Sequence, residues 1–320
     1  MQNQNENRID IACVGILVAD VLAKPVDHLP EKGLLQLVDS IELFTGGNAM
    51  TAALNISKIG FSSAVCGKVG NDFWGAFLRE RLSGQGVSTS GLKMDAHKQT
   101  SVSVALSAAD GERTFLHCPG ANAAFTLDDV DWSVIERSST VFVTGTFLLG
   151  AFDGAQTAEF LKRCRNMGKI TALDVCWDST GRWSALLDDA MPYIDYFMPS
   201  VDEARLIAKR DGVREMAAEF FRKGAGSVII KMGAEGCYAQ QSPSSEGRFV
   251  PACGHVVPID TTGAGDSFCA GFLSALTHGD SFWESVRFAN AAGAHCVMEK
   301  GATTGMKSYA EIRRFLDEQA

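Results

Sequence analysis

Residues 9–15 (IDIACVG), 139–144, 169–174 (KITALD), 195–198 and 227–231 (SVIIK) are short apolar runs, and amphipathic stretches such as 153–167 and 202–209 stand between them. Runs that are apolar at successive positions suit strands buried on both faces, the condition of a parallel sheet covered by helices. The alternation therefore predicts an α/β fold with a doubly wound, mostly parallel sheet flanked by helices. Two regions break the alternation. Residues 16–45 contain VLAKPVDHLP and LLQLVDSIELF, and residues 100–117 read TSVSVALSAADGERTFLH, with Asp110-Gly111 as a hairpin turn. They predict a small antiparallel sheet outside the main layer. Without internal repeats or a low-complexity linker, the chain reads as one domain over 1–320, with this lid built from excursions at about 16–45 and 97–121.

Composition is compatible. A 320-residue chain that is 46% hydrophobic can bury a large core. Cysteines at 13, 66, 118, 164, 176, 237, 253, 269 and 296 form no CxxC pair and no Cys/His zinc spacing, and most sit in apolar runs, so they read as reduced core residues of a cytosolic protein. No apolar run approaches a membrane span, and the start MQNQNENRID lacks the apolar core of a signal peptide. Cytoplasm is the expected compartment. A net charge of -9 argues against nucleic acid as a partner, because such binding neutralises phosphates with clustered Lys and Arg.

The nine residues from Asp260 to Phe268 (DTTGAGDSF) run into the helical pattern CAGFLSALTHG. Small residues ahead of a helix let backbone N–H groups converge on an anion, and the helix adds its first-turn donors and the positive end of its dipole. Asp266 is out of place where negative charge gathers unless it takes a proton from an attacking hydroxyl. The plain alternative is an Asp capping a helix. A second segment, TGGNAMTAALNISKIG at 45–60, places Gly46 and Gly47 ahead of a helix with small or apolar residues at 49, 52, 53, 56 and 59. Such a helix packs closely on a sheet, and the glycines let a ligand reach the backbone.

With these two segments in this order, the chain resembles the PfkB (ribokinase-like) carbohydrate kinases over nearly its whole length. The resemblance implies a phosphotransferase using ATP and Mg²⁺. Asp266 matches the family's catalytic base, and the amides of Gly263, Ala264 and Gly265 match its anion hole. Asp20 matches the sugar-binding Asp, and a carboxylate accepts from two hydroxyls at once. Gly46, Gly47, Asn48 and Thr51 match the other side of the sugar pocket. KMGAEG, with Lys231, Gly233 and Gly236, matches the ATP loop, while Asn290 matches a residue lining the base and ribose pocket. Glu203 matches the Glu that serves magnesium through water. For potassium, carbonyls at Asp260, Thr262, Cys296, Glu299, Gly301 and Gly305 match the family's monovalent site.

Three departures stand out. Asn48 replaces the Lys that ribokinases and phosphosugar kinases often carry, Thr51 replaces a common Asn, and Ser200 stands where the N-x-x-E motif has Asn. The first disfavours a phosphorylated acceptor, since phosphate wants a cation or an anion nest. The expected substrate is an unphosphorylated sugar or sugar acid; the alternatives are a nucleoside, or a catalytically inactive sugar- or nucleotide-binding protein. Phe115, Phe125, Phe147 and Trp177 could wall a base pocket or be ordinary core, and His117 could be a lid-surface residue or a ligand. Thr144, Gly145, Thr146, Asp174, Trp177, Asp178 and Arg182 fall at strand ends or in following loops, where specificity resides in such sheets. Val18, Val21, Leu35, Leu37, Val102, Val104 and Leu106 make the lid too apolar to stand with both faces wet, so it is expected to join two copies into a homodimer.

Overall fold

The computed structural model describes residues 8–109 and 112–319; residues 1–7 and the Asp110-Gly111 turn lie outside the described residues. In chain order the strands are β1 (Ile9–Gly15), β2 (Val18–Lys24), β3 (Ser40–Gly46), β4 (Ser63–Gly70), β5 (Ser88–Asp95), β6 (Val102–Ser107), β7 (Arg113–Cys118), β8 (Ser138–Thr146), β9 (Ile170–Val175), β10 (Tyr196–Phe197), β11 (Ser227–Lys231), β12 (Cys237–Gln240) and β13 (Arg248–Val250). The helices are α1 (Asn48–Ile59), α2 (Phe73–Gly84), α3 (Trp132–Arg137), α4 (Ala155–Asn166), α5 (Val201–Ala208), α6 (Val213–Arg222), α7 (Ala264–His278), α8 (Phe282–Val297) and α9 (Tyr309–Glu318).

The main sheet runs β13-β12-β11-β10-β9-β8-β1-β4-β5, parallel except for β12 and β13 at one edge. Alternation along β1 sets its two faces. Ala12 and Val14 enter a core shared with α3, α4, α5 and α6, whereas Ile11 and Cys13 enter a second core with α1, α7, α8 and α9. The apolar runs predicted as strands are thus buried on both sides, as a covered parallel sheet requires. β4 and β5 were not foreseen because Gly67, Gly70 and Gly91 interrupt their apolar pattern. The glycines have a packing reason: a Cβ on Gly67 would stand 2.7 Å from Gly15 O, and one on Gly91 2.7 Å from Val65 O.

From β1 the chain goes to β4 and β5 on one side, while β8 to β11 lie on the other. The direction of winding therefore reverses between β1 and β8, and a crevice opens there beyond the strand ends. α1 fills one side of it. Residues 49 to 56 of this helix are all buried, as expected of a helix enclosed on every side. Asn55 ties it to the next layer, donating to Ser267 Oγ at 2.9 Å and to Ala302 O at 3.2 Å.

The lid is a separate four-stranded sheet in the order β3-β2-β6-β7. It corrects the expectation of an antiparallel sheet: β2/β3 and β6/β7 are antiparallel hairpins, but β2 and β6 pair in parallel. The reason is connectivity, since the chain returns through α1, β4, α2 and β5 before β6 leaves the domain in the same direction as β2. Among the described residues, no helix is long and apolar enough to cross a membrane.

Candidate active site

Two helices begin at the crevice, each on a glycine that no other residue replaces without strain. α7 is capped by Gly263 at φ 77°, where a Cβ would stand 2.8 Å from Ala302 Cα. α1 is capped by Gly47 at φ 85°, where a Cβ would stand 2.8 Å from Leu17 Cα. Both conformations lie in the region that glycine enters at no steric cost. Of the three amides expected to bind an anion, that of Ala264 also donates to Thr261 O at 3.2 Å, so it is shared with the turn.

Asp266 lies in the first turn of α7 and is only 9% exposed. Asn48 Nδ2 donates to its Oδ1 at 2.8 Å, and Asn48 Oδ1 in turn accepts from Cys176 Sγ at 3.0 Å. A carboxylate only accepts, so the thiol on the far side favours the amide orientation that presents N–H to Asp266. Behind it, Lys231 Nζ pairs with Asp174 Oδ2 at 2.6 Å, and the Cys269 thiol donates to the same oxygen at 3.5 Å. A Cβ on Gly265 would stand 3.3 Å from Lys231 Nζ, which places the ammonium just under the start of α7.

These charges set one another. Burial pushes the Asp266 carboxyl up to about 7; the Asp174 and Glu203 carboxylates add to the rise, while Asn48 and Lys231 oppose it. Burial disfavours the Lys231 ammonium most strongly, yet Asp174, Cys269 and Glu203 together outweigh it and hold the lysine above its ordinary range. Glu203 is raised by burial and by Asp174. It closes a capping box on α5: Ser200 N donates to Glu203 Oε2 at 2.8 Å, and Glu203 N donates to Ser200 Oγ at 3.5 Å.

Asp20 stands on β2, against Gly46, where a Cβ would come 2.7 Å from the Asp20 Cγ. Burial pushes this carboxyl up to about 6, eased by a hydrogen bond from Ser103. Thr51 is buried within α1, its N–H donating to Gly47 O at 2.9 Å. On the opposite side of the crevice, Gly233 (φ 58°) and Gly236 (φ 90°) shape the turn between β11 and β12, closed by Met232 N donating to Gly236 O at 2.8 Å. Asn290 does not point freely into solvent. It donates to Val250 O at 3.3 Å and Pro251 O at 3.0 Å, pinning α8 to the segment after β13, and a cleft of about 300 Å³ opens there against Phe249, Cys253, Trp283 and Arg287.

The residues of the expected potassium site are drawn into one loop cluster. Asp260 Oδ1 accepts from Thr262 N at 3.0 Å and Asp260 Oδ2 from Gly301 N at 3.0 Å. The Cys296 thiol donates to Thr262 O at 3.4 Å, Glu299 N donates to Cys296 O at 3.4 Å, and a Cβ on Gly305 would stand 3.1 Å from Cys296 O. Among the described residues, no group of three or more His, Cys, Asp or Glu side chains could hold a metal ion.

Of the aromatic residues considered as a base wall, Phe125 and Phe147 belong to the core, while Phe115 and Trp177 are exposed. Arg182 lies on an exposed turn with Nε donating to Thr180 Oγ1 at 2.9 Å. Six of the nine cysteines are buried as expected of core residues, but Cys118 on the edge strand β7 is exposed and Cys176 and Cys253 are half-buried; the contact of Cys176 with Asn48 was missed by sequence reasoning, which treated every cysteine as core. Its place immediately beyond β9, two residues after Asp174, was the available signal.

The sequence profile described as "pfkB family carbohydrate kinase" matches residues 8–308. The chain is 27% identical over 298 residues to the 2-dehydro-3-deoxygluconokinase of Bacillus subtilis (strain 168), covering 90% of this chain and 91% of that one. It is also 27% identical over 309 residues to a fructokinase of Vibrio alginolyticus, covering 92% and 96%. Among solved structures, Arabidopsis thaliana ribokinase complexed with ribose and ATP superposes with a TM-score of 0.85 at 23% identity, over 97% of this chain and 99% of that one.

Proposed function

Because the chain belongs to the pfkB carbohydrate kinase family, we propose that it transfers the γ-phosphoryl group of ATP to a hydroxymethyl group of an unphosphorylated sugar or sugar acid. The observation that carries this reading is the Asp266 carboxylate, buried at the start of α7 and aligned by Asn48 at 2.8 Å. Its carboxyl, raised to about 7, is poised to take a proton from a hydroxyl near neutral pH. The oxygen of that hydroxyl then attacks the γ-phosphorus as the bond to the β-phosphate breaks, with ADP leaving. The first-turn amides of α7 and the Lys231 ammonium beneath them face the charge on the transferred group.

Magnesium fits this arrangement through Glu203, with water and the nucleotide phosphates completing its shell, and when bound it would neutralise phosphate charge. A potassium ion fits the loop of Asp260, Thr262, Cys296, Glu299, Gly301 and Gly305 beside the anion hole. Asp20, Gly46, Gly47 and Asn48 are assigned to the acceptor, and the cleft beside Asn290 to the nucleotide base. Leu35, Leu37, Ile41 and Leu116 of the lid region are more than 60% exposed, which supports pairing of two lids in a homodimer.

The test is an ATP-consumption screen over pentoses, hexoses, ketoses, sugar acids and nucleosides, with and without potassium. Turnover of a sugar or sugar acid is the expected outcome. Turnover of nucleosides alone would replace the acceptor class, and binding of ATP by folded protein without turnover of any of them would replace the kinase reading with a binding protein.

A further inference from the structure

Three elements meet at one amide. Asn48 opens α1, Asp266 lies in the first turn of α7, and Cys176 directly follows β9. The backbone of Cys176 is fixed to the neighbouring strand, its N–H donating to Thr146 O at 2.9 Å. From that anchor the thiol reaches Asn48 Oδ1 at 3.0 Å, and Asn48 Nδ2 reaches Asp266 Oδ1 at 2.8 Å. The line from Cys176 through Asn48 to Asp266 thus ties the end of a sheet strand to the starts of both crevice helices.

An amide side chain has two unlike ends on a soft terminal torsion. While Asp266 is ionised it only accepts, so it selects the end that carries N–H. Once it takes up a proton the selection weakens, because a carboxyl can also donate to Oδ1. The thiol keeps the selection in force. Desolvation and the Asp266, Asp174 and Glu203 carboxylates hold Cys176 well above the usual thiol range, against the pull of Lys231, so the thiol keeps its proton and remains a donor. Turning the amide round would set N–H against sulfur, a weak acceptor, and leave the thiol proton without the oxygen it now meets.

Other groups surround the carboxylate. Asp174 on β9 and Glu203 on α5 raise its pKa, and Lys231 on β11 lowers it, as does the hydrogen bond from Asn48. The thiols of Cys13 on β1, Cys269 on α7 and Cys296 on α8 face its charge as well.

We infer that Cys176 is a positioning residue of the phosphoryl transfer: its thiol locks the Asn48 amide, and the locked amide holds Asp266 on the acceptor hydroxyl. The inference rests on the kinase reading above and adds to it a residue that acts through another. A cysteine that only filled space would be replaced without loss by any side chain of similar size; a cysteine that orients Asn48 is replaced only by another donor.

Steady-state kinetics of the full chain as a function of pH test this, with the best acceptor from a screen. Cys176→Ala is expected to lower kcat about 3- to 10-fold, the scale of one neutral hydrogen bond, with the KM for ATP moved less than twofold. The acid limb of its kcat profile should move to higher pH, because a loosened amide stabilises the ionised carboxylate less. Cys176→Ser is expected to restore kcat to within about twofold of the parent, since its hydroxyl donates to the same oxygen. Asn48→Ala should cost more, about 10- to 100-fold in kcat, as a hydrogen bond to a charged group is lost. In that background Cys176→Ala should add less than about twofold, because the thiol has no amide left to act on.

Parental kcat and an unmoved acid limb in Cys176→Ala would overturn the inference and leave the kinase reading intact. So would an undiminished effect of Cys176→Ala on top of Asn48→Ala, or a serine variant as slow as the alanine one. Where the alanine variant does not fold, Cys176→Val fills the space without a donor and decides the matter: a slowed enzyme supports the inference, and a parental kcat overturns it. Failure of the parent chain to phosphorylate any acceptor would remove the kinase reading itself.

Discussion

Asp266, the proposed base, and the lid are held in opposite ways. Around Asp266 every neighbour is fixed by another: Asn48 by Cys176, Lys231 by Asp174, Asp174 by Cys269, and Gly263 by the backbone at Ala302. The lid is two hairpins joined by a parallel pair, with Asp20, Ser103 and His117 in one row on one face and Leu43, Val21, Val104 and Leu116 in a row on the other. Leu43 and Val102 pack on the core near its root, whereas Ile41 and Leu116 remain exposed. On the proposed reading, chemistry falls to the tightly interlocked region around Asp266 and selection of the acceptor to the lid.

The largest expected effect breaks the rigid side. Asp266→Asn should lower kcat by about 100- to 10,000-fold while the KM for ATP stays within several-fold, since a positioned base is worth that much and the nucleotide does not depend on it. A loss of only a few-fold in single-turnover phosphoryl transfer would move the base to another residue.

Next comes Gly46, where the rigid side meets the lid. A Cβ there would overlap the Asp20 carboxylate, 2.7 Å from its Cγ, and must displace it. Gly46→Ala should raise the KM for the sugar by about 10- to 100-fold, the scale of hydrogen bonds to a charged group, with a smaller change in kcat. An equal fall in kcat with KM untouched would mean that Asp20 acts in the transition state and not in binding.

The titration of Asp266 gives a third comparison. With a folded pKa of about 7, kcat should fall about tenfold per pH unit below that value, as the base takes up a proton. The stability effect has the opposite sense to that of a salt-bridged Asp. A folded pKa raised above the unfolded value near 3.8 gives a contribution that is present in acid and lost as pH rises through about 7. Asp266→Asn should therefore raise the melting temperature by several degrees at pH 8, and the gain should shrink as the pH is lowered towards 4. A gain independent of pH would assign it to packing.

How much of this was legible follows the same division. The covered parallel strands announced themselves because burial on both faces leaves an unbroken apolar run, as in SVIIK at 227–231. β4 and β5 did not, since glycines needed for close strand contact removed the very side chains that mark a strand. The glycine turns at 46–47 and 263–265 were readable because a backbone that must approach a neighbour leaves only one residue type possible. The partnerships were not. Cys176 with Asn48, Lys231 with Asp174 and Ser103 with His117 join residues 14 to 128 positions apart, and their meeting depends on strand order and register. The parallel pairing of β2 with β6 was hidden for the same reason, since two hairpins look alike in sequence however they are joined.

The smallest expected effect concerns the exposed side of the lid. Leu35 and Leu37, 82% and 86% exposed, lie in the segment between β2 and β3, and Leu116 is 62% exposed on the edge strand β7. In an isolated chain, replacing an exposed leucine by serine removes little burial, and stability should move by no more than about 0.5 kcal/mol. In a lid-to-lid dimer the same residues are interior. Leu37→Ser combined with Leu116→Ser should then leave the melting curve of the dilute chain almost unchanged but weaken self-association, read as a shift towards monomer in sedimentation velocity at micromolar concentration. An edge strand as open as β7 needs such cover, because its unpaired backbone groups and its apolar side chains both invite a partner. Monomer at every concentration in the unsubstituted chain, with full activity, would mean that the lid tolerates water on its apolar face and closes over the acceptor without a second copy.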